Sequence, residues 1–377
     1  MGKTTYYKRL KGSQNFSQRL LLATLSSTSI LIEDIRADHT LPGLRPHEFS
    51  LLDLLAKVSF NYLIDVNDTG TKVTYMPGTV VGKSNLEHDC GVSRSIGYFL
   101  EPLIVLGLIA NNSLCIRLKG ITNDSKDPSV DTFLSTTLPL LKRFGVPSEG
   151  LDLKIVRRGS PPHGGGEVVL SIHSVKQLNA VTWTDFGMVK RIRGCTFSTR
   201  ASFQFEMAMI HAARNIFSKF IPDVYIFTDH KAGPQAGNSS GYGISLVAET
   251  NAGCFISADT TVSNPRAEET GEIEDEKKYP SSEDVGEEIA SVLLGEIEQG
   301  GVVDSRHQGL LFLLCALCPP DVSKVRVGKL SEYGIQTLRN ITDFLGVKFV
   351  IKPNPSIGTV TLFCVGSGLR KPSCITS

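Results

Sequence analysis

Apolar and polar residues recur along the chain with two periods, one typical of helices and the other typical of strands. In residues 47–62 the leucines return every three or four positions, which predicts an amphipathic helix. Apolar and polar positions alternate in residues 72–76 and 113–118, which predicts strands with one buried face. Asp127 and Pro128 offer an N-cap and a first-turn proline, so they predict a helix that runs to about Phe144.

The same two periods predict the remaining elements. A polar, acidic stretch at residues 265–280 interrupts them and is predicted to be a flexible loop. Helices and strands form loosely similar units of about 70–90 residues, which favours an α/β or α+β body with an insertion in its middle. The other predicted helices are 17–25, 203–220, 305–317, 332–345 and one that begins at Ser281 or Ser282; the other predicted strands are 30–35, 151–157, 167–173, 188–192, 223–227, 243–249, 253–258, 325–329, 348–352 and 359–365.

Charge is balanced over the whole chain but not along it. The 39 basic and 38 acidic side chains give a formal net charge of +1, which by itself argues against a polyanionic partner. Twelve acids and three bases fall between Arg266 and Glu298, which leaves 36 bases and 26 acids in the rest of the chain. A basic body with an acidic segment is compatible with nucleic-acid binding, although it also suits an acidic protein partner.

Composition and segment lengths exclude several classes of protein. A hydrophobic content of 41% and a charged content of 20% are typical of a globular protein rather than a disordered one. The longest apolar run, residues 98–110, is shorter than the ~20 residues of a membrane span and contains Glu101 and Pro102. The start of the chain lacks a signal-peptide pattern and the eight cysteines are scattered. We therefore expect a soluble, intracellular protein with free thiols and no membrane association.

Basic side chains cluster in loops next to predicted strands. Residues 36–47 place two arginines and two histidines ahead of a helix start, where backbone N–H groups favour anions. Lys119 ends a strand in a similar way, and His163 lies in a glycine-rich loop, residues 161–167, which a plain hairpin turn also explains. Each loop taken alone is explained as solvated surface. Because such loops recur, an anion-binding site is an equally good explanation.

The sequence contains no convincing catalytic or metal-binding set. Residues 304–307 hold an acid, a hydroxyl and two basic groups, but neighbours on one helix cannot all point at one substrate. We therefore expect His307 to be a structural or an exposed histidine. His163 and His173 are separated by a loop and a strand pattern, which is not a metal-ligand spacing, so we expect no metal.

A series of motifs occurs in order through nearly the whole chain. They are Arg36-Ala37 with Thr40-Leu41-Pro42-Gly43-Leu44-Arg45-Pro46, Lys119-Gly120-Ile121-Thr122-Asn123, His163-Gly164-Gly165-Gly166-Glu167 with Val175-Lys176-Gln177-Leu178-Asn179, Ala248-Glu249-Thr250 with Gly253-Cys254, and Gly300-Gly301-Val302-Val303-Asp304. In these motifs the chain resembles the RNA 3′-terminal phosphate cyclase family. The resemblance implies three repeated units, each a four-stranded sheet with two helices, and a smaller α/β insert. The core is then expected in residues 1–184 and 281–377, the insert in 185–264 and the acidic loop in 265–280.

The resemblance also implies a catalytic site, and the chain departs from it. In the family's enzymes ATP adenylylates a histidine, AMP passes to an RNA 3′-phosphate, and a 2′,3′-cyclic phosphate closes. Tyr333 occupies the position of that histidine, and a phenol of pKa about 10 is a poor substitute for an imidazole. Gly309 and Leu310 occupy the positions of an Asp–Gln pair beside the nucleotide, and Leu21 that of a phosphate-facing arginine. We therefore expect the cyclase site to be absent.

This combination is similar to the non-catalytic, cyclase-like branch of the family. For that branch the resemblance implies a nucleolar factor for early pre-ribosomal RNA cleavage within the small-subunit processome, bound to a large nucleolar GTPase. We expect a monomer before complex formation, no cofactor, and pre-rRNA as a further partner. We also expect an anion site retained at Arg36, Arg45, Lys119 and His163.

A pre-rRNA endonuclease that reuses the anion site is the alternative function. Such cleavage needs metal-binding carboxylates or an acid–base pair. Asp304, Arg306 and His307, together with Asp38 and His39, are the candidates, and they form no recognisable set in the sequence. A cyclase that uses Tyr333 as its nucleophile is a third alternative.

Overall fold

A computed structural model describes residues 6–263 and 280–368, and it has the mixed α/β fold that the sequence predicts. Four four-stranded sheets and their helices make up this part of the protein. The predicted acidic loop at 265–280 lies outside the described residues except for Pro280. No helix in the described ranges is both long and apolar enough to cross a membrane.

The first unit contains one sheet, two helices and a short two-stranded ladder. Its elements are β1 (Lys8–Lys11), α1 (Phe16–Ser26), β2 (Ile30–Glu33), α2 (Pro46–Val58), β3 (Ser59–Phe60), β4 (Leu63–Val66), β5 (Val73–Met76) and β6 (Thr79–Val80). The sheet has the order β1-β2-β5-β4, with β1 and β2 parallel and the other neighbours antiparallel. Helix α2 ends earlier than the predicted residue 62 because Ser59 and Phe60 pair with β6.

The second unit repeats this sheet. Its elements are β7 (Leu86–Asp89), α3 (Gly97–Ile109), β8 (Leu114–Gly120), α4 (Val130–Thr132), a π-helical segment (Phe133–Thr137), α5 (Leu138–Arg143), β9 (Leu151–Arg157) and β10 (Gly166–Ile172). The sheet order is β7-β8-β10-β9. The helical stretch begins later than predicted, because Ser129, whose Oγ accepts from Thr132 N, is its cap. The predicted cap, Asp127, instead binds Arg94.

The insert forms a sheet and packs two helices on it. After β11 (Thr182–Trp183) come β12 (Val189–Thr199), α6 (Phe203–Phe217), β13 (Val224–Lys231), β14 (Gly241–Thr250), β15 (Phe255–Ser263) and α7 (Ser282–Glu298). The sheet order is β13-β12-β14-β15. Helix α7 has an apolar face, on which Val285, Ile289 and Leu293 are buried in one cluster with residues of α6 and the sheet. The division at 185–264 stays a prediction.

The third unit closes the chain. Its elements are α8 (Gln308–Leu317), β16 (Val322–Val327), α9 (Glu332–Leu345), β17 (Val350–Asn354) and β18 (Thr359–Val365). The sheet order is β11-β16-β18-β17, so one strand comes from before the insert. All three units therefore share one pattern: an edge strand parallel to its neighbour, followed by two antiparallel pairings.

The core lies between the helices and the inner faces of the three unit sheets. Helices α3 and α8 are apolar almost throughout and buried on nearly all sides. Strands such as β8 and β16 bury alternate residues, so the other face of each sheet is more open to solvent. The seven described cysteines are free thiols, as expected from their scattered positions, and Cys374 lies outside the described residues.

Candidate functional site

A cavity of about 540 Å³ lies where α1, α3, α9 and the turn before α8 meet. It brings together positions that the family resemblance singles out, Leu21, Arg36 and Tyr333, with charged side chains that sequence reasoning missed. Its lining residues are Ser13, Asn15, Phe16, Ser17, Gln18, Leu21, Arg36, His47, Glu48, Arg94, Gly97, Tyr98, Glu101, Pro102, Lys126, Asp127, Pro128, Phe133, Ser305, Arg306, Ser331 and Tyr333.

Tyr333 is held in the first turn of α9. Ser331 caps this helix, because its Oγ accepts a hydrogen bond from Gly334 N at 3.0 Å. The Tyr333 hydroxyl then donates to Glu101 Oε1 at 2.6 Å. Burial, together with the adjacent Glu101 carboxylate, raises the pKa of Tyr333 well above its usual value, so the phenol is neutral near pH 7.

Glu101 is perturbed in the same direction. Burial raises the pKa of its carboxyl group, and the hydrogen bond from Tyr333 only partly offsets this. The pair therefore forms a hydrogen-bonded contact between α3 and α9 in one wall of the cavity. The raised pKa of the Tyr333 phenol keeps it protonated, and a neutral phenol is a weak nucleophile.

Gly309 and Tyr333 depend on one another sterically. A Cβ added at Gly309 would lie 2.4 Å from Tyr333 Cε1, closer than real side-chain atoms approach. The tyrosine ring thus fills the space that any side chain at position 309 needs. Leu310, at the second position of the family's Asp–Gln pair, is buried in the core and is not among the cavity's lining residues.

The α1 side of the cavity is built from buried amide and apolar groups. Leu21 is buried and lines the cavity at the position of the family's arginine. Gln18 Nε2 donates to Thr337 Oγ1 at 2.6 Å, and Asn340 Nδ2 donates to Gln18 Oε1 at 2.6 Å. These bonds fix α1 against α9 and satisfy the polar atoms of Gln18 inside the protein.

Three arginines line the cavity, and each is paired with an acid. Arg36 binds Glu48 through both guanidinium nitrogens, at 2.7 and 2.8 Å, from a backbone φ of 49° that is unusual for a residue with a side chain. Its hydrogen bond with Glu48 raises the pKa of Arg36 further. Arg94 Nε donates to Asp127 at 2.7 Å, and Arg306 binds Asp259. Each arginine of the cavity is therefore compensated by a neighbouring acid.

Of the four residues predicted to bind an anion, only Arg36 lines the cavity. Arg45 is the N-cap of α2, and its backbone N–H donates to Glu48 Oε2 at 2.7 Å. Lys119 Nζ lies 2.9 Å from Glu87 on the outer face of the second sheet. His163 lies in the loop between β9 and β10, where its backbone N–H donates to Ser239 Oγ at 3.0 Å. Their anion-binding role stays a prediction.

The turn at residues 304–307 is structural. His307 Nδ1 is 2.8 Å from Asp304 Oδ1, and Nε2 is 2.9 Å from Thr137 Oγ1, so His307 is a buried, satisfied histidine as one expected alternative had it. Burial opposes its charged form, but the Asp304 carboxylate outweighs burial and raises the pKa of His307. Asp304 Oδ2 also accepts from Ser257 N at 2.9 Å, which fastens the turn to β15.

The remaining nuclease candidates do not gather at the cavity. Asp38 and His39 are exposed in the loop after β2 and do not line the cavity, whereas Arg306 does. Within residues 6–263 and 280–368 no three His, Cys, Asp or Glu side chains are placed to hold a metal ion. Arg94 and Lys126 were missed from sequence because their cavity-facing positions depend on contacts between distant segments.

Comparison with known proteins gives one consistent family. A family model described as "RNA 3′-terminal phosphate cyclase" matches residues 8–351. An Arabidopsis thaliana protein named "Probable RNA 3′-terminal phosphate cyclase-like protein" is 64% identical over 96% of this chain and 97% of its own. A Homo sapiens "RNA 3′-terminal phosphate cyclase-like protein" is 46% identical over 96% of both chains. A Schizosaccharomyces pombe protein named "rRNA processing protein rcl1" is 39% identical over 97% of both chains.

Proposed function

We infer a function from one premise: the chain belongs to the RNA 3′-terminal phosphate cyclase family. Within it we propose a ribosome biogenesis factor without cyclase activity, which acts in early pre-rRNA processing for the small ribosomal subunit. We place it in the nucleolus, as part of the small-subunit processome and bound to a nucleolar GTPase. No cofactor is needed for this role, and the protein is a monomer before it joins the complex.

The contact between Tyr333 and Glu101 is the observation that best supports the proposal that the protein has no cyclase activity. A phenol attacks the α-phosphate of ATP effectively only as its anion. Burial raises the pKa of the Tyr333 phenol, so it keeps its proton, which it donates to Glu101 Oε1 at 2.6 Å. Gly309 leaves no carboxylate beside it, and the ring itself takes up that space.

A labelling experiment tests this part of the proposal. The purified protein is incubated with α-labelled ATP, Mg²⁺ and an oligonucleotide that ends in a 3′-phosphate, beside an active cyclase of the family as positive control. We expect no AMP attached to the protein and no cyclic phosphate. Label on the wild-type protein that disappears in Tyr333→Phe would identify the tyrosine as a nucleophile and overturn the proposal.

The names of related proteins support the role in ribosome assembly. The S. pombe relative is named for rRNA processing, and relatives in plants and animals carry the suffix "cyclase-like". We expect depletion of the protein in its own cells to cause small-subunit rRNA precursors to accumulate. An affinity-tagged copy should recover a nucleolar GTPase, and a fluorescent fusion should label nucleoli. Normal precursor levels after depletion would refute the role.

Direct cleavage of pre-rRNA is the competing proposal, and it predicts a different result with purified protein. Its best acid–base candidates, Asp304 and His307, are both buried and bonded to each other and to Ser257 and Thr137. We therefore expect no cleavage of a pre-rRNA fragment by the protein alone. Cleavage that is lost in His307→Gln, with RNA binding intact, would establish the nuclease instead.

A further inference from the structure

The outer faces of the second and third sheets are topologically equivalent but chemically different. In the third sheet, Phe363 on β18 lies between Lys324 on β16 and Val350 on β17. In the second sheet, Val169 on β10 lies between Arg117 on β8 and Lys154 on β9. Of these two faces, that of the third sheet carries an aromatic ring at its centre and that of the second sheet does not. We call Lys324, Val350, Lys352 and Phe363 the third-sheet face.

Two lysines approach the ring of Phe363. Lys324 Nζ lies 5.4 Å and Lys352 Nζ 5.1 Å from the ring centroid. Lys352 pairs with Thr361, two residues before Phe363, so alternation puts its side chain on the same face of the sheet. Val350 is 58% exposed and Phe363 is partly exposed, so the face is open to solvent.

The cations of the two faces differ in their partners. On the second sheet, Lys119 lies 2.9 Å from Glu87, Arg157 3.6 Å from Glu167, and Arg117 pairs with both acids. On the third-sheet face, no carboxylate oxygen among the described residues lies within 4.0 Å of Lys324 or Lys352. Three of the four cations of the second face, all except Lys154, are paired with acids, whereas neither lysine beside the ring of the third-sheet face has an acidic partner among the described residues.

We propose that the third-sheet face binds single-stranded RNA, with a base stacked on Phe363 and phosphates at Lys324 and Lys352. Aromatic rings accept any base by stacking, and flanking lysines hold the backbone. Lysine side chains are long and flexible, so the two ammonium groups can turn outward to phosphates while a base takes their place on the ring. The choice of RNA as ligand rests on the proposed function.

We limit the contacts to these three side chains for a structural reason. Arg326 follows Lys324 on the same face of β16, and its Nε is buried without a hydrogen-bond partner in the described part of the chain. It also lines a second cavity, of about 520 Å³, together with Asp185 and Glu298. Two acids share that cavity, so its charge does not favour a phosphate.

Salt dependence of binding tests the lysines. A fluorescent 12-nucleotide oligouridine is titrated with the full-length protein at several salt concentrations, and affinity is followed by anisotropy. For Lys324→Gln with Lys352→Gln we expect the slope of log affinity against log salt to become shallower by about 1.4, because each phosphate contact on a single strand contributes about 0.7. The matched control, Lys83→Gln with Lys154→Gln, removes two exposed lysines beside and in the second sheet and should leave the slope unchanged.

The aromatic contact is tested by Phe363→Leu, which keeps an apolar side chain. Loss of one stacked base should weaken affinity about tenfold without changing the salt slope. Thermal unfolding is measured for each variant, and Phe363→Tyr, which preserves stacking, should bind like the wild type. An acidic protein partner would bind through charge alone. Polyglutamate that competes as well as oligouridine, with Phe363→Leu having no effect on RNA, would therefore overturn the inference.

The inference and the proposed function can fail separately. Oligouridine binding is measured with purified protein and needs no pre-rRNA processing. If the variants lose no affinity relative to the lysine control, the third-sheet face is not the RNA surface, whatever depletion does to rRNA precursors. If depletion leaves precursors unchanged while the variants lose RNA binding, the face is correct and the ribosomal role is wrong.

Discussion

Two arginines fasten the insert sheet to the rest of the protein at its opposite edges. At one edge, Arg158 Nε donates to Asp229 on β13 at 2.8 Å. At the other, Arg306 binds Asp259 on β15. The residue types are the same, but the Arg158 side chain is 2% exposed whereas that of Arg306 is 46% exposed and lines the cavity.

The two junctions also differ in what remains if the arginine is removed. Arg158 holds a second acid, Asp131, through two hydrogen bonds of 2.6 and 2.8 Å. Without it, Asp131 keeps a neutral amide donor, Asn123 Nδ2 at 2.8 Å, but no counter-ion among the described residues, while Asp229 keeps Lys231 Nζ at 2.9 Å. Asp259 has other donors, because its Oδ2 accepts from Ser129 N at 2.7 Å and from Thr132 Oγ1 at 2.9 Å. The comparison teaches that the buried Arg158 is structural, because its removal leaves a buried charge without a counter-ion. Removal of the exposed Arg306 instead leaves Asp259 with two hydrogen-bond donors.

The largest loss of stability is expected when the buried junction at Arg158 is broken. Arg158→Met leaves Asp131 buried without its counter-ion, and we expect the free energy of unfolding to fall by about 3–5 kcal/mol. The adjacent Arg157 is a matched control, because its side chain is 43% exposed and 3.6 Å from Glu167. Arg157→Met should cost less than about 1 kcal/mol. Equal losses in urea unfolding of the two variants would show that burial does not separate them.

The next effect tests how tightly the cavity end of the exposed junction is packed. Gly309 lies at the start of α8, directly after the turn that carries Arg306. We expect Gly309→Ala to destabilise the protein by about 1–3 kcal/mol, because the new methyl group overlaps the Tyr333 ring. In a Tyr333→Ala background the same change should cost less, because Thr337 Oγ1, at 2.9 Å from the new methyl group, is then the close contact that remains and alanine favours helix over glycine. Additive losses in this double-mutant cycle would mean that the ring and Gly309 do not compete for space.

A pH titration distinguishes the two junctions in another way. The pKa of His307 is raised by Asp304, so its contribution to stability is fully present below about pH 6.5 and is lost as pH rises through the folded-state pKa. The stability difference between wild type and His307→Gln should therefore shrink from pH 6 to pH 9, by no more than about 1.4 kcal/mol per pH unit.

The Arg158 junction supplies the contrast for that titration. The Asp131 carboxyl is desolvated, yet the Arg158 guanidinium lowers its pKa, so its stabilising contribution is lost only as pH falls below the ordinary range of an aspartate. The effect of Arg158→Met should then stay constant from pH 6 to pH 9. A constant difference for His307→Gln would contradict the assigned pairing with Asp304.

The smallest effect is expected at Arg306 itself. Arg306→Gln removes a half-exposed ion pair, so we expect a loss below about 1 kcal/mol that diminishes further at high salt. Asp259→Asn should cost more than Arg306→Gln, because the buried carboxylate receives two additional hydrogen bonds. The thermal midpoints of the two variants at low and high salt provide the measurement. A larger loss at Arg306 than at Asp259 would reverse the roles assigned to the two partners.

Local pattern predicted the elements well where apolar spacing was regular. The leucine stripe of α2 and the alternation in β5 and β8 are present, with ends shifted by strand pairing or capping. Helix α8 begins at Gln308 rather than at residue 305, because Asp304 accepts from the backbone of Arg306 and His307 and holds a turn there. The ends of elements depend on such individual hydrogen bonds, which apolar periodicity does not reveal.

The site was less predictable because its contacts join distant parts of the chain. The family resemblance indicated Tyr333 and Gly309 separately, yet their steric competition appears only in three dimensions. Residue type does not reveal that Arg158 is fully buried, with Asp131 and Asp229 as partners from two other segments of the chain. Charge and residue type alone do not distinguish a solvated arginine from a buried one.

The way the ends of the chain interlock constrains how it can be made. Helix α1 packs on α9, where Gln18 binds Thr337, and Thr182 of β11 pairs with Lys324 of β16. While the chain is being synthesised, the apolar side of α1 and the short strand β11 lack these partners until the last fifth of the protein has left the ribosome. Such long-range closure is slow and leaves apolar surface open to chaperones. A protein cut short before β16 therefore leaves α1 without its helix partner in a first unit that is otherwise complete, and it leaves β11 without the other three strands of its sheet.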